Sequence, residues 1–170
     1  MAISRKKVVV RRFEGEIVWG YLPQSGFLVE DEDSVEVLDI AGKVIRLFLR
    51  DIKMISYVKD FNLDDKVDPE RVGRRSFWGR PRGEGLWLKT VFLDGEAMEG
   101  TVHFDGFMDG LLRDRGFRMT PPDARSNTQM IFVPRSALAE VEVLGYVTAP
   151  GKKKAKVEVG KVVQPGLFGE

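Results

Sequence analysis

One pattern occurs twice, eighty positions apart, and it limits what the chain can fold into. Phe13-Glu14-Gly15-Glu16 is followed by Gly20, and Leu93-Asp94-Gly95-Glu96 is followed by Gly100. Both read as apolar, acidic, Gly, Glu, three residues, Gly. A short extended apolar run precedes each copy, Val8-Val9-Val10 in one and 86–91 in the other. An acidic-Gly pair between β-rich runs marks a tight hairpin, since glycine takes positive φ without steric cost. The second glycine, inside the next strand, predicts a bulge or a bend at which the sheet curls.

The remainder of each copy follows the same plan. In the first, 35–38 and 44–49 flank a turn at Ala41-Gly42, and a break at Arg50-Asp51 leads into 52–58. In the second, 117–120 and 130–133 flank a polar loop, and a break at Pro134-Arg135-Ser136 leads into 138–144. About five short strands per copy, with glycine turns, predict an all-β fold of barrel or sandwich type. Helical periodicity is nearly absent, and residues 106–115 are expected to form at most one short helical turn. Four segments follow: a first barrel at 1–60, an Arg/Gly-rich linker at 61–85, a second barrel at 86–150 and a basic, flexible tail at 151–170.

Composition removes several function classes. The 170 residues include no cysteine, which excludes a disulfide scaffold, cysteine-ligated zinc and a thiol nucleophile. No apolar run approaches the ~20 residues of a membrane span, and the basic start leads into no signal-peptide core, so a cytoplasmic location without membrane contact is expected. Net charge is +1, but residues 86–150 carry −3 and the tail +3.

At Gly100-Thr101-Val102-His103-Phe104-Asp105-Gly106-Phe107-Met108-Asp109 the chain resembles the first Sm motif of Sm and LSm proteins. Those proteins carry a glycine in a curled strand, with an Asp, an aromatic, a Met and an Asn in the loop beyond. The resemblance covers roughly residues 6–60 and 86–147, and the second copy is the better match. It implies two tandem five-stranded Sm-like (SH3-like) barrels. It also implies RNA contact through Asp105, Phe107, Asp109 and, at the break before the last strand, Arg135. Sm barrels join by pairing strand edges, so self-association is implied too. The departures are equally specific. Asp109 stands where the family has Asn, the break holds Pro134-Arg135-Ser136 instead of a basic-Gly pair, and the first copy lacks the motif loop.

The candidate sites each have two readings. In the 105–109 loop, Phe107 stacks a base, or Phe104, Phe107 and Met108 are core and the acids shape the loop. In the linker, Arg71, Arg74, Arg75, Arg80 and Arg82 interleave with Phe77 and Trp78, with no acid between Arg71 and Arg82. Guanidinium groups neutralise phosphates and aromatics stack on bases, which suits nucleic acid. The other reading is a basic loop whose Phe77 and Trp78 pack across the junction of the barrels. The Arg71 to Arg75 spacing is similar to that of PilZ domains, which bind cyclic di-GMP, though their second element is missing. In the tail, Lys152, Lys153, Lys154 and Lys156 suit nucleic acid or solubility. Gln164-Pro165-Gly166-Leu167-Phe168 resembles peptides that dock on the bacterial sliding clamp, through Gln164, Leu167 and Phe168.

His103 is the only histidine, and a lone strand histidine usually has no chemical role. No phosphate loop, nucleophile elbow or zinc spacing occurs. The expectation is a non-enzymatic binding module without metal or cofactor, contacting RNA or another nucleic acid. The alternatives are a protein-interaction scaffold or a small-ligand, cyclic-nucleotide binder.

Overall fold

The computed structural model describes residues 4–23, 27–29, 33–63, 74–123 and 127–148, apart from the side chain of Asp114. Strands β1 (Arg5–Arg12), β2 (Val18–Pro23), β3 (Leu28–Val29), β4 (Ser34–Asp39), β5 (Val44–Phe48) and β6 (Ile52–Val58) come first. A second set follows: β7 (Gly85–Phe92), β8 (Ala97–Val102), β9 (Gly116–Met119), β10 (Thr128–Pro134) and β11 (Leu138–Val147). A single 3-10 turn joins β5 to β6 at Leu49–Asp51, and another joins β10 to β11 at Arg135–Ala137.

The chain is all-β, as expected, and forms two sheets. One runs β3-β4-β2-β1-β6-β10-β9 with β5 attached to β4, and the other runs β11-β7-β8. The expected closed barrels are not what the strands form. Among the described residues β5 does not pair with β6, nor β10 with β11, so each set stays open at its 3-10 turn. Among the described residues the two sheets are linked by a single bridge, Thr101 to Thr120.

The two sets pair alike in detail. Val8 faces Gly20 as Leu88 faces Gly100. On the other side, Val8 faces Tyr57 and Val10 faces Ile55, as Leu88 faces Val143 and Thr90 faces Val141. Each pairing slips at the matching place, between Met54 and Ile52 and between Glu140 and Leu138, and the β7–β11 pairing slips a second time between Val143 and Gly145. Gly15 and Gly95 take φ of 97° and 87° in the two hairpin turns. The bulge expected at Gly20 and Gly100 is not there, because the register runs through both unshifted. Both glycines instead admit a neighbouring strand. A Cβ at Gly20 would lie 2.5 Å from the Leu38 carbonyl oxygen and from Val37 Cγ1, and one at Gly100 would lie 2.6 Å from Met119 Sδ.

Two cores meet at the β6–β10 pairing. Val8, Val10, Leu22, Val35, Val37, Ile52, Ile55 and Tyr57 fill the first, together with Phe132 from β10. Leu88, Phe92, Met98, Val102, Phe117, Met119, Ile131 and Val133 fill the second, together with Met54 from β6. Strands shared by two cores are covered on both faces, which accounts for the mainly apolar sequence at 52–58, where even Lys53 and Ser56 are buried, and the apolar run at 130–134.

Apart from the two 3-10 turns, the helical structure among the described residues is α1 (Phe104–Asp109), continued as a π-turn over Gly110–Asp114. It starts two residues earlier than the sequence suggested. No helix is long and apolar enough to cross a membrane among the described residues.

Candidate nucleic-acid interface

The linker segment 74–84 is anchored on β8 through Glu99. The Glu99 N–H donates to the Arg75 carbonyl at 2.7 Å. Its carboxylate accepts from the Phe77 N–H at 2.9 Å and from Trp87 Nε1 at 3.2 Å. Phe77 then packs edge-on against Trp87, with ring centroids 6.2 Å apart. The expectation that Phe77 and Trp78 bridge the two strand sets is therefore not met, since the ring contact of Phe77 lies within the second set.

Trp78 is 88% exposed. The Arg74 guanidinium lies over its ring at 4.0 Å while Nη2 donates to Asp123 at 3.1 Å. Arg80 Nη2 donates to the Tyr146 carbonyl at 2.7 Å, and Arg82 is exposed. Together with Thr101, Thr120, Pro121 and Pro122 they line a groove of about 780 Å³. Three arginines against Asp123 leave the groove cationic. Of the linker residues singled out in the sequence, the groove thus gathers Arg74, Phe77, Trp78, Arg80 and Arg82. Arg75 faces away, bonded to Glu96 at 2.9 Å. Arg71 lies outside the described residues, as do the tail residues Lys152, Lys153, Lys154, Gln164, Leu167 and Phe168.

The 105–109 loop is α1. Phe107 packs on Phe117 at 5.0 Å and joins the second core, so its ring is occupied. Phe104 and Met108 are exposed instead of buried, and Asp109 pairs with Arg113 at 2.9 Å. Asp105, Met108 and Asp109 border only a shallow depression. His103 sits just past β8, exposed, and only its backbone carbonyl caps α1 by accepting from the Phe107 N–H.

A second cationic cluster went unread in the sequence. Arg50, Arg115 and Arg135 surround Ser136 and Asp33 in a pocket of about 310 Å³ where the two 3-10 turns meet. Ser136 Oγ donates to the Leu49 carbonyl at 3.2 Å, and Arg135 donates to the Leu111 carbonyl at 3.0 Å. Asp33 and Arg115 form an ion pair, and both take left-handed backbone, with φ of 50° and 56°. Their carbonyls accept from Leu49 and Arg135 in the same way. Only Arg135 stood out beforehand, because the partners come from four separate segments.

A third polar cluster lies between the strand sets. Lys53, buried on β6, donates to Asp94 at 2.6 Å and also to Glu96. The Lys53 hydrogen bond, then that of Arg75, lowers the Glu96 carboxyl from 4.5 to about 2. Burial pushes the Tyr57 phenol up to about 12, against a smaller opposing effect of Arg118, while its hydroxyl donates to the Pro23 carbonyl. No cluster of three or more metal-ligating side chains occurs among the described residues.

No curated protein and no solved structure matches the chain. Residues 4–145 match the family described as "Family of unknown function (DUF6982)". That span runs from the first residues of β1 almost to the end of β11 and takes in both strand sets and the groove. The chain accordingly belongs to the DUF6982 family.

Proposed function

We propose that the chain is a non-enzymatic binding module of two Sm-like units, and that it takes single-stranded nucleic acid along the Trp78 groove. The observation that carries this reading is Trp78 itself, 88% exposed on a segment held in place through Glu99. An indole left in water is unfavourable, and its placement beside Arg80 and Arg82 suits a base stacked on one face with phosphates along the arginines. Arg74 already covers part of the ring, which presets a cation-aromatic platform. The two-unit reading is supported by the matching registers, the matching slips and the two close-packed glycines.

Fluorescence anisotropy with a labelled mixed-sequence RNA at two salt concentrations tests it. Binding should weaken as salt rises, because phosphate contacts release counterions. Trp78→Ala should weaken it roughly tenfold or more, as expected for loss of one stacked base, with thermal stability unchanged. A chain ending at Pro150 measures what the tail lysines add. Absence of binding at low salt removes the nucleic-acid reading. The scaffold reading then gains ground, favoured by Val143 and Tyr146, which stand exposed on β11.

A further inference from the structure

The Lys53 cluster forms one wall of a cavity of about 480 Å³ between the two acidic-Gly turns. Arg11, Arg12, Lys53 and Arg75 line it together with Asp94 and Glu96, so the lining is cationic by two charges. Phe13, Met54 and Met98 add apolar surface. Successive residues of a regular strand face opposite ways. Here Arg11 and Arg12 both reach the cavity, as do Lys53 and Met54, because the β1–β6 pairing slips between the two arginines and leaves Lys53 without a partner on β1. Bulges re-aim side chains in this way and are over-represented next to functional sites.

A strand set does not need these charges in order to form. The second set has the same slip, and its counterpart positions hold Val91, Phe92 and Ala139. The ion pairs of the cluster do not use up the cations either. Lys53 bonds Asp94 and Glu96, and Arg75 bonds Glu96. Arg12 directs Nε and Nη2 to the Glu16 carbonyl, at 3.1 and 2.9 Å, and meets no carboxylate among the described residues. Its guanidinium is held against Gly15, where a Cβ would stand 3.0 Å from Nη2. A guanidinium fixed in this way is a ready donor to an anion.

We infer that the cavity binds a small phosphorylated polyol, with the phosphate on Arg11 and Arg12 and the hydroxyl groups on Asp94 and Glu96. A phosphate monoester carries about −1.5 to −2 charges at neutral pH, which balances the lining. Guanidinium forks take phosphate oxygens in pairs, and carboxylates accept from hydroxyl groups. The volume lies within the ~300–1,000 Å³ usual for small-ligand sites. The cavity shares no lining residue with the Trp78 groove, so the inference does not rest on the nucleic-acid reading.

Isothermal titration calorimetry of the full chain tests this, with glycerol 3-phosphate, glucose 6-phosphate, inorganic phosphate and glucose as probes at matched ionic strength. The two esters should bind one to one, inorganic phosphate more weakly, and glucose not at all. Arg12→Gln should weaken ester binding about tenfold, as loss of a charge-assisted hydrogen bond does. Arg11→Gln should do the same without touching the turn that Arg12 braces, and circular dichroism checks that both variants stay folded. Excess mixed-sequence RNA should leave the ester affinity unchanged, which separates a small ester from a nucleic-acid backbone. No binding of either ester overturns the inference. So does inorganic phosphate that binds as tightly as the esters, an unchanged affinity in both variants, or displacement of the ester by RNA.

Discussion

Strands β6 and β11 hold corresponding places and have opposite surroundings. Both follow a 3-10 turn, both pair antiparallel with the first strand of their set, and both slip by one residue at the same point. Every residue of β6 is buried, whereas most of β11 is exposed. Backbone geometry does not separate them over this stretch, although β11 slips once more between Val143 and Gly145. The difference is that β10 covers the outer edge of β6, and its Phe132 enters the first core against Phe27. Burial of a strand is thus set by what lies beside it, and the composition has followed. β6 reads Ile-Lys-Met-Ile-Ser-Tyr-Val, and β11 admits Glu140 and Glu142.

The widest gap should appear where the two strands carry comparable aliphatic residues. Ile55 is fully buried in the first core, while Val141 only packs partly against the second. Ile55→Ala should cost about 3–4 kcal/mol, as large-to-small changes in packed cores do, and Val141→Ala about 1 kcal/mol. Urea unfolding at low protein concentration measures both. Equal losses would break the comparison. A Val141→Ala loss that grows with protein concentration would sharpen it, because it would place β11 under a neighbouring copy.

The paired glycines give the next largest effect. At Gly20 the obstacle to a Cβ is the Leu38 carbonyl oxygen and the branched Val37, neither of which moves easily. At Gly100 the nearest atom is the Met119 sulfur, on a flexible side chain, and the Thr120 carbonyl oxygen stands back at 3.1 Å. Gly20→Ala should therefore cost about 3 kcal/mol and Gly100→Ala about 1 kcal/mol, within the range for overpacking. A thermal melt of each variant decides it, and a reversed order would mean that strand β4 yields more readily than Met119.

The sequence carried the local half of this architecture. Acidic-Gly turns, alternating apolar residues and the two breaks at Arg50-Asp51 and Pro134-Arg135-Ser136 are signals written within a few residues, and the hairpins and 3-10 turns stand where they point. The junction was not legible, since β6 and β10 are seventy or more positions apart and an apolar strand does not name its partner. The open sheets follow from the same cause, because closure depends on edges meeting in space. In the site, the run of arginines marked the groove, but Glu99, which anchors it, looks in the sequence like any strand glutamate. Phe107 shows the converse: its motif position suggested a base-stacking role, and packing on Phe117 gives it a core one.

Lys53 and Ala139 mark the last contrast between β6 and β11. They are counterparts one residue into each strand, but Lys53 is buried against Asp94 and Glu96 whereas Ala139 is exposed. The Glu96 carboxyl falls from 4.5 to about 2, first through Lys53 and then through Arg75. A carboxyl lowered on folding adds stability that is present above its unfolded value and lost as pH falls through the folded one. The loss should therefore run from about pH 4.5 down to about pH 2. Glu96 is still 49% exposed, so after solvent screening its share is about 1 kcal/mol. Lys53→Met keeps the length of the side chain and removes the charge. Urea midpoints of the native chain and this variant should converge over that pH range, because the acids common to both cancel in the difference. A constant separation down to pH 2 would assign the stabilisation by Lys53 to packing of its stem and to its ammonium over the ring of Phe92, and leave Glu96 to Arg75 alone.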